Sequence, residues 1–241
     1  MERNRVYILG CGIDIVDSRL ALKKAEELIL RGIPSQVITL NAEIAYAASL
    51  DDRLRQVINE ADLVTPDGIG IVWAARHKGY DIKERVTGID MVYNLCQLAA
   101  NKGYRVFLLG ASPGVAEKAA CELKKMYPYL IICGTRDGYF REEEKEEVIK
   151  SIREARPHIL LVALGAPKQE FFISRHKEEL GVPLCLGVGG SFDVIAGVKK
   201  RAPGFMIRLN LEWLYRLLSE PSRFKRQMAL PKFVLKVLRE K

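Results

Sequence analysis

The chain lacks any long hydrophobic run. Nowhere in its 241 residues do about 18 apolar residues follow one another without interruption. The sequence therefore predicts no membrane-spanning helix. The first residues enter a strand-like segment almost at once, so we also expect no secretory signal. Any contact with a membrane is then expected to be peripheral.

Disulfide and metal patterns are missing as well. The five cysteines contain no Cys-x-x-Cys pair, and the three histidines are scattered along the chain. We therefore expect reduced cysteines in the core of a cytosolic protein, and no metal site. The chain has no Asp-x-Asp pair, which is a common two-carboxylate holder of Mg²⁺. It also lacks a Walker motif and a nucleophile elbow.

Charge is distributed unevenly along the chain, whose net charge is +8. Residues 198–241 contain twelve Lys and Arg against three Glu, a net charge of +9, which leaves −1 for residues 1–197. The same C-terminal segment is rich in Phe, Leu, Met and Trp. A tail that is both basic and apolar is suited to an anionic surface above an apolar layer, such as a membrane.

Helical periodicity in the tail predicts one amphipathic helix from Phe205 to Leu218, with an apolar arc of roughly 200°. Pro221 is expected to end this helix, and Pro231 to break the stretch that follows. Two interpretations stay open. In one, the tail helices dock on their own domain or on a second subunit; in the other, they bind a membrane surface, and the two are compatible.

Short apolar runs alternate with longer helical patterns in the rest of the chain. The runs are continuously apolar, which is typical of strands buried on both faces, and strand–helix alternation predicts βαβ units. We therefore predict an α/β fold: a mostly parallel, Rossmann-like sheet flanked by helices over residues 1–196, then a basic helical, membrane-binding appendage over residues 197–241. The predicted strands are Val6–Leu9, Gln36–Leu40, Leu63–Thr65, Val106–Leu109, Leu130–Cys133, Ile159–Ala163 and Leu184–Gly187. The predicted helices are Ser18–Arg31, Asp51–Ala61, Ile69–Lys78, Ile89–Asn101, Gly114–Met126, Glu142–Ala155 and Lys168–Glu179.

Asp67 follows the third predicted strand, in the turn Thr65-Pro66-Asp67-Gly68. In parallel sheets, ligands bind beyond the carboxyl ends of the strands. An aspartate at a helix start is favoured as an N-cap. The alternative is a carboxylate that accepts a proton from an attacking hydroxyl.

The turn Gly110-Ala111-Ser112-Pro113-Gly114 leads from a strand into a helix. Free N–H groups and the helix dipole suit a diphosphate or nucleotide at such a place. A tight structural turn fits the same residues, and the motif is neither GxGxxG nor a P-loop. Polar or glycine-rich residues also follow other strands, at Thr39, Asn41, Asp137, Gln169, Gly189 and Asp193.

Eight segments in order cover nearly the whole chain and carry a common pattern. They are ILGCGIDI (8–15), TLNAE (39–43), TPDGIGIVWAAR (65–76), GASPG (110–114), DGYF (137–140), LLVALGAPKQE (160–170), GVGGSFDVIAG (187–197) and KRAPGFMIRLNLEWLYRLLSEPSRFKRQ (200–227). Together they resemble the WecG/TagA/CpsF glycosyltransferases of bacterial surface-polymer synthesis. Gly12 departs from the usual Pro-Ile-Asp of the wall-teichoic-acid branch, which the sequence otherwise resembles most.

The resemblance implies an enzyme that transfers an N-acetylhexosamine-type sugar, with inversion, from a UDP donor. The implied acceptor is a sugar linked through diphosphate to a polyprenyl carrier in the cytoplasmic leaflet. In the wall-teichoic-acid branch, N-acetylmannosamine is moved onto N-acetylglucosamine-diphospho-undecaprenol. Transfer of another UDP-sugar, such as N-acetylmannosaminuronic acid, is the alternative. No cofactor is implied, and the protein would sit on the inner face of the cell membrane.

The resemblance also assigns roles to residues. Asp67 would deprotonate the acceptor hydroxyl as general base. Arg216, Arg223 and Arg226 of the tail would cover the crevice and neutralise the diphosphate leaving group. The apolar tail face could also join two copies of the chain. The other implied site residues are Thr39, Asn41 and Gln169, which would orient the sugars, and Gly110, Ala111, Ser112, Pro113, Asp137, Gly189 and Asp193, which would hold the nucleotide.

The sequence supports two other classes of function less well. A nucleotide-sugar epimerase or dehydrogenase would need a dinucleotide fingerprint, which the chain lacks. A nucleic-acid-binding protein would need basic residues along a groove with exposed aromatics. Here the basic residues concentrate on a tail whose other face is apolar, and we expect no nucleic acid partner.

Overall fold

The computed structural model describes residues 4–209, 211–219 and 228–240. Eight strands lie in these ranges: β1 (Arg5–Ile8), β2 (Cys11–Asp14), β3 (Gln36–Leu40), β4 (Leu63–Pro66), β5 (Arg105–Gly110), β6 (Ile131–Arg136), β7 (Ile159–Ala163) and β8 (Leu184–Gly187). Six of them form one sheet in the order β4-β3-β8-β7-β5-β6, and every neighbouring pair is parallel. The predicted parallel α/β sheet is confirmed.

Helices cover both faces of this sheet. They are α1 (Ser18–Arg31), α2 (Ala42–Ala48), α3 (Asp52–Glu60), α4 (Ile69–His77), α5 (Gly88–Lys102), α6 (Val115–Met126), α7 (Lys145–Ala155), α8 (Lys168–Leu180), α9 (Ser191–Ile195), α10 (Gly204–Arg208), α11 (Glu212–Ser219) and α12 (Ala229–Arg239). Alternate strand residues face opposite layers. Val37 packs with α1, α5, α6 and α9, whereas Ile38 packs with α2, α3, α4 and α12. Burial on both sides explains the continuous apolar runs.

The first predicted strand does not join the parallel sheet. Instead, β1 pairs antiparallel with β2, a strand that the sequence analysis missed. The two-residue turn between them holds Leu9 and Gly10 at φ 50° and 78°, as type I′ hairpins require. Asp14 is buried at the end of β2, where it accepts a hydrogen bond from Val64 N at 2.8 Å and pairs with Arg5 at 3.2 Å. The hairpin therefore covers the β4 edge of the sheet.

The tail begins with two short helices, not with the single helix predicted from Phe205 to Leu218. The first, α10, ends at Arg208, and Leu211 N bonds back to Met206 O at 2.8 Å, five residues earlier. This bond replaces the regular α-helical pattern, so α11 starts afresh at Glu212. Pro221, which was expected to end the helix, lies outside the described residues.

The last helix, α12, docks on the body of the protein. Phe233 and Val237 are fully buried in the cluster formed by the hairpin, α2, α3 and α4. Lys236 Nζ donates to Ser49 Oγ at 2.8 Å, and Glu240 accepts from Leu9 N at 3.0 Å. The interpretation in which a tail helix docks on its own domain therefore holds for α12.

Pro231 does not break this stretch. It lies in the first turn of α12, where the helix leaves N–H groups without intrahelical partners and tolerates a proline. Among the described residues, no helix is both long enough and apolar enough to span a bilayer. The domain boundary at residue 196 stays a prediction.

The expected burial of the cysteines holds for three of the five. Cys11, Cys96 and Cys185 are buried, and burial raises the pKa of each thiol to about 12. Cys133 is only partly buried, and Cys121 on α6 is exposed. Cys121 was therefore wrongly placed in the core, because it lies on the solvent face of its amphipathic helix.

We expect Phe233→Ala to lower the free energy of unfolding by about 3–5 kcal/mol, because it removes a fully buried ring. The nearby Leu235 is 55% exposed, so Leu235→Ala should change the free energy of unfolding by no more than about 0.5 kcal/mol. Denaturant unfolding of the two variants measures the difference. Equal stabilities would mean that α12 does not dock.

Candidate functional site

The carboxyl ends of all six parallel strands lie at one edge of the sheet. Adjacent β3 and β4 pair in register, with Leu40 opposite Pro66. Asp67 N donates to Leu40 O at 2.8 Å, and Val86 N donates to Pro66 O at 2.8 Å. The loops that follow β3 and β4 are therefore held together by main-chain bonds, and the segment before α5 is fastened to both.

Asp67 is half-buried in this loop cluster. The N-cap position of α4 is taken by Gly68, at φ 85°, with no side-chain capping bond. The Asp67 carboxylate instead accepts from Gly88 N, the first residue of α5, at 3.4 Å. The N-cap interpretation of Asp67 is therefore wrong. The carboxylate faces the start of α5 at the carboxyl ends of the strands.

Thr39 and Ser191 complete this cluster. A methyl group added to Gly88 would lie 3.2 Å from Thr39 Oγ1 and 4.0 Å from Ser191 Oγ, so the end of β3 and the starts of α5 and α9 meet there. Asn41 lies next to them as the N-cap of α2, where its Oδ1 accepts from Ile44 N at 3.0 Å. This capping bond engages the side-chain oxygen of Asn41.

Gln169 is a buried residue that holds the turn after β8 in place. Its side chain is 4% exposed, Oε1 accepts from Gly189 N at 3.0 Å, and Nε2 donates to Glu170 Oε1 at 2.9 Å. A Cβ on Gly187 would come within 2.6 Å of Gln169 Nε2. Gln169 thus sets the course of the turn between β8 and α9, which carries Gly189 and Ser191.

The Gly110–Gly114 turn lies where the strand order reverses, between the neighbouring strands β5 and β7. The connection from β5 runs through α6 to the outer strand β6, whereas the connection from β7 runs through α8 towards β8. These two helices lie on opposite faces, which opens a crevice between the strand ends. Gly110, at φ 124°, lets the backbone of β5 pass close to the end of β7, since a Cβ on Gly110 would lie 2.5 Å from Ala163 O.

Ser112, Pro113 and Gly114 are exposed at the mouth of this crevice, and Ala111 is half-buried beside them. Gly114 occupies the N-cap of the twelve-residue helix α6 without a side-chain capping bond. Val115 N donates to Ser112 O at 3.0 Å, so the helix dipole and the N–H groups that follow Val115 are what this helix start presents to the crevice.

The two predicted aspartates of the nucleotide set are in different places. Asp137 lies by the Gly110 turn: its Oδ1 accepts from Tyr139 N at 2.8 Å, and Gly138 N donates to Ala111 O at 2.9 Å. Asp193 lies in α9, where its carboxylate is 3.5 Å from Lys199 Nζ. In residues 4–209, 211–219 and 228–240, no three His, Cys, Asp or Glu are grouped as metal ligands would be.

An ionic clasp joins the tail to the site. Arg85 Nη1 donates to Glu212 Oε2 at 2.6 Å, and Arg201 Nη2 donates to Asp90 Oδ1 at 2.7 Å. Arg201 Nε also lies 4.0 Å from Glu212 Oε1. These four residues, which we call the clasp, hold the start of α11 against the segment that contacts Asp67.

The three predicted tail arginines are only partly described. Arg216 lies in α11, but its side chain is outside the described part of the chain. Arg223 and Arg226 fall between α11 and α12, also outside it. Their role over the crevice stays a prediction.

An apolar cavity of about 360 Å³ lies between the tail and the site. Ala42, Ile69 and Gly70 form one wall, and these residues directly follow the Asn41 and Asp67 loops. The opposite wall comes from α11 and from the start of α12.

Comparisons with known proteins show the family of the chain. The model of the glycosyl transferase WecG/TagA/CpsF family matches residues 6–241. The chain belongs to this family. It is thus a glycosyltransferase, as the eight sequence segments predicted. A relative from Bacillus subtilis (strain 168) is 40% identical over 208 residues, which are 86% of this chain and 80% of the relative.

A second relative, from Bacillus spizizenii, is 39% identical over 203 residues, covering 84% of this chain and 78% of its own length. Both relatives are named N-acetylglucosaminyldiphosphoundecaprenol N-acetyl-beta-D-mannosaminyltransferase.

Sequence reasoning missed the clasp residues and Gly88. Thr87 N-caps α5, and Thr-Gly-Ile-Asp has the form of a helix start with an acid in its first turn. That signal locates Gly88 at a helix N-terminus, but it does not indicate that Gly88 N bonds to the Asp67 carboxylate. Arg85 and Glu212 are 127 positions apart, and no periodicity relates them.

We expect Glu212→Gln to loosen the start of the tail. The side chains of Arg85 and Glu212 are 16% and 12% exposed, so removing the carboxylate charge should cost about 1–3 kcal/mol. Limited proteolysis should then cut the tail faster than in the parent protein. Glu178→Gln, at an exposed position of α8, is the control. Equal cleavage of both variants would show that the clasp does not hold α11.

Proposed function

We propose that this glycosyltransferase moves N-acetylmannosamine from a UDP donor onto N-acetylglucosamine-diphospho-undecaprenol, as wall teichoic acid linkage-unit synthesis requires. The observation that carries the proposal is Asp67: a half-buried carboxylate where the β3, β4 and α5 loops meet. The names of the two relatives, at 39% and 40% identity, support the choice of sugar and acceptor.

Asp67 acts as general base in a single displacement. The acceptor hydroxyl gives its proton to the carboxylate while its oxygen forms a bond to the anomeric carbon of the donor. The bond from that carbon to the diphosphate oxygen breaks, and its electron pair leaves with UDP. Attack opposite the leaving group inverts the anomeric configuration. Thr39 and Asn41, beside Asp67, orient the sugars, and Gln169 keeps the Gly189–Ser191 turn in place.

The leaving diphosphate lies at the Gly110–Gly114 turn. The uncapped N-terminus of α6 supplies N–H donors and the positive end of a helix dipole there. Asp137 and Asp193 contribute to nucleotide binding from the flanking turns. Arg216, Arg223 and Arg226 neutralise the remaining charge, a task for which guanidinium groups are well suited. We expect no metal, because the sequence has no Asp-x-Asp pair.

The protein binds the inner face of the cell membrane peripherally, through its tail. The exposed tail side chains include Leu209, Leu218, Leu235 and Leu238, all more than half exposed. Lys232 and Arg239 are exposed on α12 beside two of them. Apolar side chains with neighbouring cations match an anionic membrane surface. In water, a second copy of the chain would cover the same face.

We expect Asp67→Asn to lower kcat by about 10²–10⁴-fold, because an amide cannot accept the proton. KM and thermal stability should change little. Product formation from UDP-N-acetylmannosamine and a lipid-diphospho-N-acetylglucosamine analogue, followed by mass spectrometry, gives the rate. Asp81→Asn, an exposed carboxylate on the loop before α5, is the matched control. A normal rate in Asp67→Asn would exclude the base role.

We expect the protein to co-sediment with anionic vesicles and less with zwitterionic ones. The double variant Lys232→Gln/Arg239→Gln should bind anionic vesicles more weakly, since each basic residue contributes about 1 kcal/mol near such a surface. Lys150→Gln/Arg153→Gln makes the same charge change on α7 and should bind normally. A gel shift with RNA and DNA tests the alternative that the protein binds nucleic acid. Equal loss in both double variants, or tight nucleic acid binding, would contradict the membrane role of the tail.

A further inference from the structure

The apolar cavity between the tail and the body has no role in the transfer described above. Its volume of about 360 Å³ is in the range of small-molecule sites. Leu217 of α11 and Val234 of α12 lie on the tail side, and Ile69 lies on the body side. All ten residues that line it are apolar, so it suits a hydrocarbon chain and not a sugar, a diphosphate or a base.

The position of the cavity restricts its occupant. Ala42 follows Asn41 directly, and Ile69 and Gly70 follow Asp67 after one glycine. The cavity wall therefore begins where the catalytic loops end. An acceptor whose sugar hydroxyl meets Asp67 has its diphosphate and the start of its lipid within a short distance of that carboxylate.

The cavity also opens towards the exposed apolar face of the tail. Val234 and Met228 line it and are 37% and 42% exposed. Leu218 and Leu235 directly follow two lining residues and are 71% and 55% exposed, outside the cavity. Among the described residues, apolar side chains thus lead from the cavity to that face.

We propose that this cavity holds the first isoprene units of the acceptor's polyprenyl chain. The proposal rests on the proposed function and adds a lipid subsite to it. Binding the chain there places the diphosphate and sugar at the Asp67 end of the cavity. It also lets the transferase select prenyl-linked acceptors over free sugar diphosphates, because apolar burial contributes to affinity in proportion to the buried area.

Two matched pairs of variants test the subsite. Leu217→Trp and Val234→Phe place larger side chains on the cavity walls, whereas the outer variants Leu30→Trp and Val198→Phe make the same changes at exposed positions that do not line the cavity. The probe is geranylgeranyl diphosphate, titrated calorimetrically below its micelle concentration and without vesicles. Inorganic diphosphate is the reference ligand.

We expect the parent protein to bind geranylgeranyl diphosphate more tightly than inorganic diphosphate. Each cavity variant should weaken prenyl binding about tenfold, because the larger side chain occupies space that the prenyl chain would fill. The two outer variants should bind as the parent does. Using two cavity variants keeps the test valid if one of them fails to fold.

Three results would overturn the subsite. They are equal affinity for the prenyl and inorganic ligands, equal affinity in all five proteins, and equal weakening in the cavity and outer variants, which would indicate an effect that does not depend on the cavity. Transfer to a short-chain acceptor analogue is measured in parallel. If the parent protein does not transfer sugar to that analogue, the proposed function is rejected, whatever the prenyl titrations show.

Discussion

The site depends on main-chain bonding at the ends of β3 and β4. Asp67 N bonds to Leu40 O and Val86 N bonds to Pro66 O, each at 2.8 Å. These bonds place the loops that carry Asn41 and Asp67 beside each other. The position of the candidate base therefore follows from the parallel pairing itself and needs no long, flexible side chain. Packing on both faces of the sheet keeps that pairing rigid.

Residues 85–90 connect this rigid edge to the tail. Gly88 contacts the Asp67 carboxylate, while Arg85 and Asp90 pair with Glu212 and Arg201. A displacement of α11 thus acts on the same short segment that touches the base. This arrangement provides a physical route by which tail docking and catalysis are coupled, if the tail arginines complete the site as proposed.

The apolar residues of α12 divide between two environments. Phe233 and Val237 are buried in the body, whereas Leu235 and Leu238 are exposed. Helical spacing of three to four residues separates the two sets onto different faces. Docking on the body and contact with lipid are therefore compatible in one helix. Lys236 lies on the docked side of α12, because its ammonium group bonds to Ser49. Within α12, Lys232 and Arg239 are then the basic residues that can face an anionic surface.

The sequence by itself determined the parallel α/β sheet, the family and the turns that surround the crevice. Those features depend on local signals: continuous apolar strands, helix periods, and Asp or Gly at strand ends. Only the tertiary structure decided that β1 leaves the sheet for a hairpin, that Asp67 turns to Gly88 instead of capping α4, and that Glu212 meets Arg85. Each depends on contacts between distant segments, whose energies no local pattern encodes.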